Sequence, residues 1–167
     1  WPESVVLGYR AGMPQLEMKL TAAAASPEVD QCQQTLERLF GDHIIGEDDA
    51  TLAGALQQVL RDQGKKMVAA ESCTGGLIAS MVTAEPGSSS VFEAGFVTYA
   101  NSIKHSVLGV SEASLETDGA VSEAVVKQML AGALTESGAD IGIAVSGIAG
   151  PDGGSDDKPV GTVWLAW

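Results

Sequence analysis

Three short stretches of the chain carry residue types that could do chemistry, each where an apolar run gives way to a turn. The first is Glu71-Ser72-Cys73-Thr74-Gly75-Gly76, with three candidate nucleophiles ahead of two glycines. A glycine turn that leads from a buried strand into a helix points backbone N–H groups outward, where an anion or oxyanion is favoured. The same residues also suit a plain turn with capping hydroxyls. The second stretch, Phe96 to Lys104, places Tyr99 at a strand end and Lys104 one turn into a helix. A desolvated lysine can lose its proton near neutral pH and act as a base, and serine paired with lysine is a known variant of the Ser/His/Asp scheme. Spacing alone favours the plainer reading, a surface lysine and a core tyrosine. The third stretch, Val145-Ser146-Gly147-Ile148-Ala149-Gly150-Pro151-Asp152-Gly153-Gly154, leaves another apolar run. Its glycines permit close backbone approach to a ligand, or a flexible surface loop.

Cys73 ranks behind Ser72 as a nucleophile, because no histidine stands in a recognisable pairing with it. His43 and His105 are isolated, so no metal site is expected. Asp152, Asp156 and Asp157 could hold Mg²⁺ but read as a solvated loop face. The chemistry outlined needs no cofactor.

Elements must hold these stretches in place. Leu16–Thr21 alternates apolar and polar and predicts a half-buried strand. Ser26-Pro27 predicts an N-cap and first helical residue, with Val29, Cys32, Leu36, Leu39 and Phe40 on one face and Gly41 at the stop. Gly46–Asp49 is a polar break, and Leu52, Leu56, Val59 and Leu60 mark a second helix. Met67–Ala70 reads as a strand buried on both faces. Beyond it the spacing predicts a helix from Leu77, a strand over 92–99, a helix over 101–108 and a Ser111 N-cap flanked by Val110 and Leu115. A long helix capped by Ser122, a strand over 141–145 and another beginning at Gly161 complete the pattern. Strands alternating with helices imply an α/β fold: a three-layer, Rossmann-like, mainly parallel sheet with helices on both faces, plus a small α+β piece at the N-terminus.

The totals limit the function. In 167 residues with net charge −13, the basic side chains after residue 66 are Lys104, Lys127 and Lys158, against twelve carboxylates. Nucleic-acid binding needs clustered cations to displace counterions, so it is excluded as an expectation. Two cysteines are too few for a disulfide framework, and no apolar run is long enough to span a bilayer. A cytoplasmic protein, not bound to membrane, is expected. The start at Trp1 and the apolar close at Val163–Trp167 suggest a fragment.

Taken together, the strings Ala70–Gly76, Gly95–Asn101 with Lys104, Gly119–Glu123, and Ser146–Gly154 running on to Lys158–Val163 resemble the C-terminal domain of the CinA proteins. The likeness covers roughly residues 50–167. Leu7–Pro14 through Thr21, and Phe40–Gly46, resemble the end of the KH-like linker that precedes that domain. The implied organisation is a partial KH-like region over 1–46 and the amidase domain, truncated at its C-terminal end, over 47–167. The resemblance implies an amidohydrolase that converts nicotinamide mononucleotide and water to nicotinate mononucleotide and ammonia; the partners expected are this small-molecule nucleotide substrate and further copies of the chain in a homo-oligomer. It implies Ser72 as nucleophile, Lys104 as general base and Tyr99 as the hydrogen-bonding partner that orients the pair. It further implies that Cys73, Thr74, Gly75, Gly76, Ser146, Gly147 and Gly150 line the substrate, with backbone N–H groups of 73–76 available to an oxyanion. Family members continue past the last strand into a segment with an arginine at the site, so the phosphate clamp is expected to be incomplete here. The alternative is a nucleotide-binding module without catalysis. The Ser72–Lys104 separation, and the burial of that lysine, distinguish the two.

Overall fold

All five residues of Met67–Glu71 are buried, as a strand enclosed between two layers must be. The computed structural model describes residues 1–12, 15–23 and 26–167. Met13 and Pro14, in the stretch that resembles the linker, and Ala24 and Ala25, in the alanine run, lie outside the described residues. The chain divides into two compact units, Trp1–Asp49 and Ala50–Trp167, with the division at the end of the Gly46–Asp49 polar break.

In the first unit, β1 (Val5–Gly12) pairs antiparallel with β2 (Gln15–Ala22), from Val5 opposite Ala22 to Gly12 opposite Gln15. β2 follows from its alternation. β1 has no such signal, because its sequence VVLGYRAG mixes an apolar run with two glycines and an arginine. It is held by the ladder it forms with β2. Helix α1 (Pro27–Phe40) begins where Ser26 accepts from the Glu28 N–H, with Pro27 in the first turn, where its missing N–H costs nothing.

The second unit carries a four-stranded sheet in the order β4 (Phe92–Val97), β3 (Met67–Glu71), β5 (Ile141–Gly147), β6 (Val163–Ala166). β3 runs parallel to β4 and β5. β6 runs antiparallel to β5, so the sheet is mainly parallel with one reversed strand. That reversal arises because residues 148–162 return directly to β5 without a crossover helix: Ile148 N–H donates to the Thr162 carbonyl and Gly161 N–H to that of Ile148. β4 ends at Val97, two residues earlier than the pattern predicts, although the Thr98 N–H still bonds to the Glu71 carbonyl.

Side chains alternate across a strand, and here each series meets its own helices. Val68, Ala70, Ala144 and Ala166 pack with Val125, Val126, Met129 and Ala133 of α6 (Glu123–Ser137), Leu108 of α4 (Asn101–Leu108), and Leu115 of α5 (Glu112–Thr117). Met67 and Ile143 point the other way, to Leu56 and Leu60 of α2 (Leu52–Asp62) and Val82 of α3 (Leu77–Thr83). This is the three-layer α/β arrangement. Hydroxyl caps start the helices as the sequence implies: Ser111 accepts from the Ser114 N–H and Ser122 from the Val125 N–H. Thr51 caps α2 through the Gly54 N–H, a start the sequence reading did not single out.

Candidate active site

Val97, Glu71 and Val145 lie side by side on β4, β3 and β5. The next residues, Thr98, Ser72 and Ser146, therefore stand in a row across the carboxyl ends of three parallel strands, where ligands of open α/β sheets collect. By alternation this row continues the series that faces α4 and α6. Glu71, one residue before Ser72, takes the opposite face.

Lys104 rises from α4 into this row. Its Nζ stands 3.0 Å from Ser72 Oγ and 2.8 Å from the main-chain carbonyl oxygens of both Thr98 and Tyr99. The residue is only 1 % exposed. Burial is the largest influence on the amine and pushes its pKa below the ordinary 10.5, while a coulombic contribution from Cys73 opposes it. The three partners fix the direction of the lone pair. Carbonyl oxygens can only accept, so a neutral amine gives its two N–H bonds to Thr98 and Tyr99. Its lone pair then faces the Ser72 hydroxyl. Such an arrangement can draw a proton from Ser72 and return it to a leaving group.

The loop after Ser72 is shaped by Gly75 and Gly76, at φ +61° and +100°. Those left-handed values let the chain reverse into α3 at a corner where other residues would be strained. Two amides of the loop are committed: Gly75 N–H bonds to the Ser72 carbonyl and Gly76 N–H to Glu71 Oε2. The N–H groups of Cys73 and Thr74 have no partner among the described residues. Glu71 also accepts from Ile78 N–H at 3.0 Å and Ala79 N–H at 2.9 Å, and it is fully buried. The α3 N-terminus is therefore already filled by a carboxylate of the chain itself.

The other residues singled out in the sequence take varied places. Tyr99 meets Lys104 through its backbone; its side chain is turned outward and 72 % exposed. Cys73 is half-buried and lies against β5. A Cβ on Gly147 would come within 3.0 Å of Cys73 Sγ and 2.9 Å of the Thr162 carbonyl. The Ser146 hydroxyl is buried and donates to the Ala120 carbonyl at 2.7 Å, which ties the turn before α6 to β5. Gly150 lies in the returning loop, where an added Cβ would come within 2.6 Å of Val160 Cγ1. The hydroxyl oxygens of Thr74 and Thr98 are buried without a hydrogen-bond partner. Among the described residues no His, Cys, Asp and Glu group gathers as a metal site would require, and no helix is long and apolar enough to cross a membrane.

A model of the CinA C-terminal domain matches residues 49–167. The chain belongs to the CinA C-terminal domain family. A CinA-like protein of Colwellia psychrerythraea is 50 % identical over 175 residues, covering 100 % of this chain and 40 % of the relative. A Shewanella oneidensis protein named nicotinamide-nucleotide amidohydrolase PncC is 44 % identical over 167 residues, covering 99 % of this chain and 39 % of its own. The chain thus spans about two fifths of the length of the curated relatives it matches. Among solved structures, the competence/damage inducible protein CihA from Agrobacterium tumefaciens superposes with a TM-score of 0.67 at 50 % identity, over 68 % of this chain and 69 % of that one. Competence damage-inducible protein A from Klebsiella pneumoniae gives 0.68 at 44 % identity, over 70 % and 72 %.

Within this CinA domain the sequence reading named Glu71 without giving it a role and missed the carbonyls that hold the amine. A glutamate just ahead of a glycine turn and a helix is a legible signal, since a carboxylate there can reach the helix's free N–H groups. The carbonyls of Thr98, Tyr99 and Ala120 have no such signal, because every residue carries one.

Proposed function

We propose that this domain hydrolyses the carboxamide of nicotinamide mononucleotide, with Ser72 as nucleophile and Lys104 as its base. The observation that carries the reading is the buried Lys104 amine 3.0 Å from Ser72 Oγ and 2.8 Å from two carbonyl oxygens, which leave the lone pair of a neutral amine for the hydroxyl. The neutral amine takes the Ser72 proton as Oγ attacks the amide carbon. The resulting oxyanion finds the N–H groups of Cys73 and Thr74, which supply a few kcal/mol per donor. Lys104 then passes its proton to the departing nitrogen, ammonia leaves, and an ester remains on Ser72. Water, deprotonated by the same amine, attacks that ester and releases the carboxylate. The CinA family membership and the Shewanella oneidensis relative's name support this choice of amide.

A depressed lysine pKa and its contact with a hydroxyl favour catalysis over simple nucleotide binding, which would not require a buried amine. The α3 N-terminus, filled by Glu71, does not serve the substrate's phosphate in this reading. The test is ammonia release from nicotinamide mononucleotide by the full-length protein and by Ser72→Ala. The variant is expected to lose at least roughly 10⁴-fold in kcat, the scale on which covalent nucleophiles act. An unchanged rate overturns the assignment of Ser72.

A further inference from the structure

Glu71 and Ser72 are adjacent on β3 and therefore project to opposite faces of the sheet. Ser72 meets Lys104 on the α4 side. Glu71 meets α3 on the other side, where its two carboxylate oxygens accept from three backbone donors of the turn and the first helical residues: Gly76, Ile78 and Ala79, at 3.1, 3.0 and 2.9 Å. The loop that holds the Cys73 and Thr74 amides is thus fastened at both ends to the same strand. At one end, Ser72 continues β3 through its N–H bond to the Val145 carbonyl. At the other end, Gly76 is tied back to Glu71.

We propose that Glu71 is a positioning residue, whose buried carboxylate anchors the 73–76 loop so that the Cys73 and Thr74 N–H groups face the oxyanion formed at Ser72. This inference rests on the amidase reading and specifies how its oxyanion site is held. The argument is one of geometry and competing acceptors. Three amides that converge on one buried carboxylate have a fixed place to go. Without that carboxylate they must find water or the carbonyls of the loop, and the loop rotates. Gly75 and Gly76 give it little resistance to doing so, because glycine is permissive at its backbone angles. Glu71 does not touch the Lys104 amine, whose partners are Ser72, Thr98 and Tyr99. Its removal should therefore spare the base and damage the transition state selectively.

The decisive variant is Glu71→Gln in the full-length protein. It keeps the size of the side chain but presents an NH₂ group to backbone N–H groups that need an acceptor. The expected result is a kcat about 10²-fold lower, as a misplacement of about 1 Å brings, with KM within about threefold of the parent. The pH at which the rate rises through the Lys104 ionisation is expected to stay in place. A purely architectural role predicts a lower melting temperature but an unchanged kcat per folded molecule, and that outcome overturns the proposal. A loss carried wholly by KM, or a displaced pH limb, overturns it as well. If Glu71→Gln does not fold, Glu71→Asp takes its place; its shortened carboxylate should bring a smaller fall in kcat with the same unmoved KM and pH limb. The labelling rate of Ser72 by phenylmethylsulfonyl fluoride, read by mass spectrometry, separates this inference from the amidase reading. If the parent protein labels but releases no ammonia from the nucleotide, the substrate is wrong. If parent and Glu71→Gln label equally fast, Glu71 does not position the loop.

Discussion

At Lys104 two influences oppose each other. Burial lowers the pKa of the amine, and a coulombic contribution from Cys73 raises it. The base works only when neutral, so kcat/KM for the amide should rise with pH through this ionisation, with a midpoint below the ordinary lysine value of 10.5. Replacing Cys73 by alanine keeps the backbone N–H offered to the oxyanion and removes only the sulfur. The limb of Cys73→Ala should therefore move to lower pH, as a rate profile of both proteins would record. A limb that stays or moves upward refutes the coupling. Ser72 and Lys104 were singled out as a pair by the resemblance to the CinA proteins; spacing alone favoured a surface lysine, and the burial of Lys104 beside Ser72 Oγ depends on contacts distant in the chain that spacing does not record. Tyr99 was legible as a position but not as a contact. It was the aromatic hydroxyl that drew attention, whereas the main-chain carbonyl meets the amine. Side-chain chemistry can be read from letters, and carbonyl placement cannot.

Among the helices, α4 carries the base and α6 holds α4. The contact between them is unusually close at Gly132, where a Cβ would stand 2.0 Å from the Leu108 carbonyl oxygen and 2.9 Å from its Cα. The obstacle is backbone, so no rotamer change relieves it. Alanine has the better helix propensity by about 1 kcal/mol, yet Gly132→Ala must push α4 away from α6. The net expectation is a destabilisation of about 1–3 kcal/mol, the usual cost of overpacking. The amine moves with its helix, so kcat should also fall, by about 10²-fold for a displacement of about 1 Å. Denaturant melts and ammonia release measure the two effects. Equal stability and rate would show that α4 is not set by this contact. The same close approach recurs at Gly95, where a Cβ would come within 2.9 Å of Ala79 Cβ, between β4 and α3. A chain with 20 glycines suits tight helix-on-sheet packing in general. Which glycine bears on which helix depends on contacts distant in the chain, and periodicity carries no record of those.

Across the whole molecule, the layers followed from patterning because the strands β3 and β5 are short apolar runs, a signal that survives without any knowledge of neighbours. The reversed direction of β6 and the presence of β1 were hidden, since each depends on a partner strand rather than on its own alternation. The buried base has a consequence at this same scale. In the unfolded chain Lys104 titrates near its ordinary value, and in the folded domain it titrates lower. Between the two, the unfolded state binds more protons, and stability rises with pH wherever that is so. The penalty for burying the ammonium is thus complete below the folded pKa, shrinks as pH rises through the window, and is gone above 10.5. Lys104→Met lacks this dependence while filling similar space. The variant also leaves Ser72 Oγ and two carbonyls without the amine, so the informative quantity is the slope rather than the absolute difference. Trp164 lies on β6, and replacing Trp1 by phenylalanine leaves only Trp164 and Trp167 as tryptophan reporters. In that background, urea melts at a series of pH values should show the lysine protein gaining on the methionine variant as pH climbs towards 10.5. Parallel stability curves would mean that the amine titrates alike in both states, and the depressed pKa on which the proposed base depends would have to be abandoned.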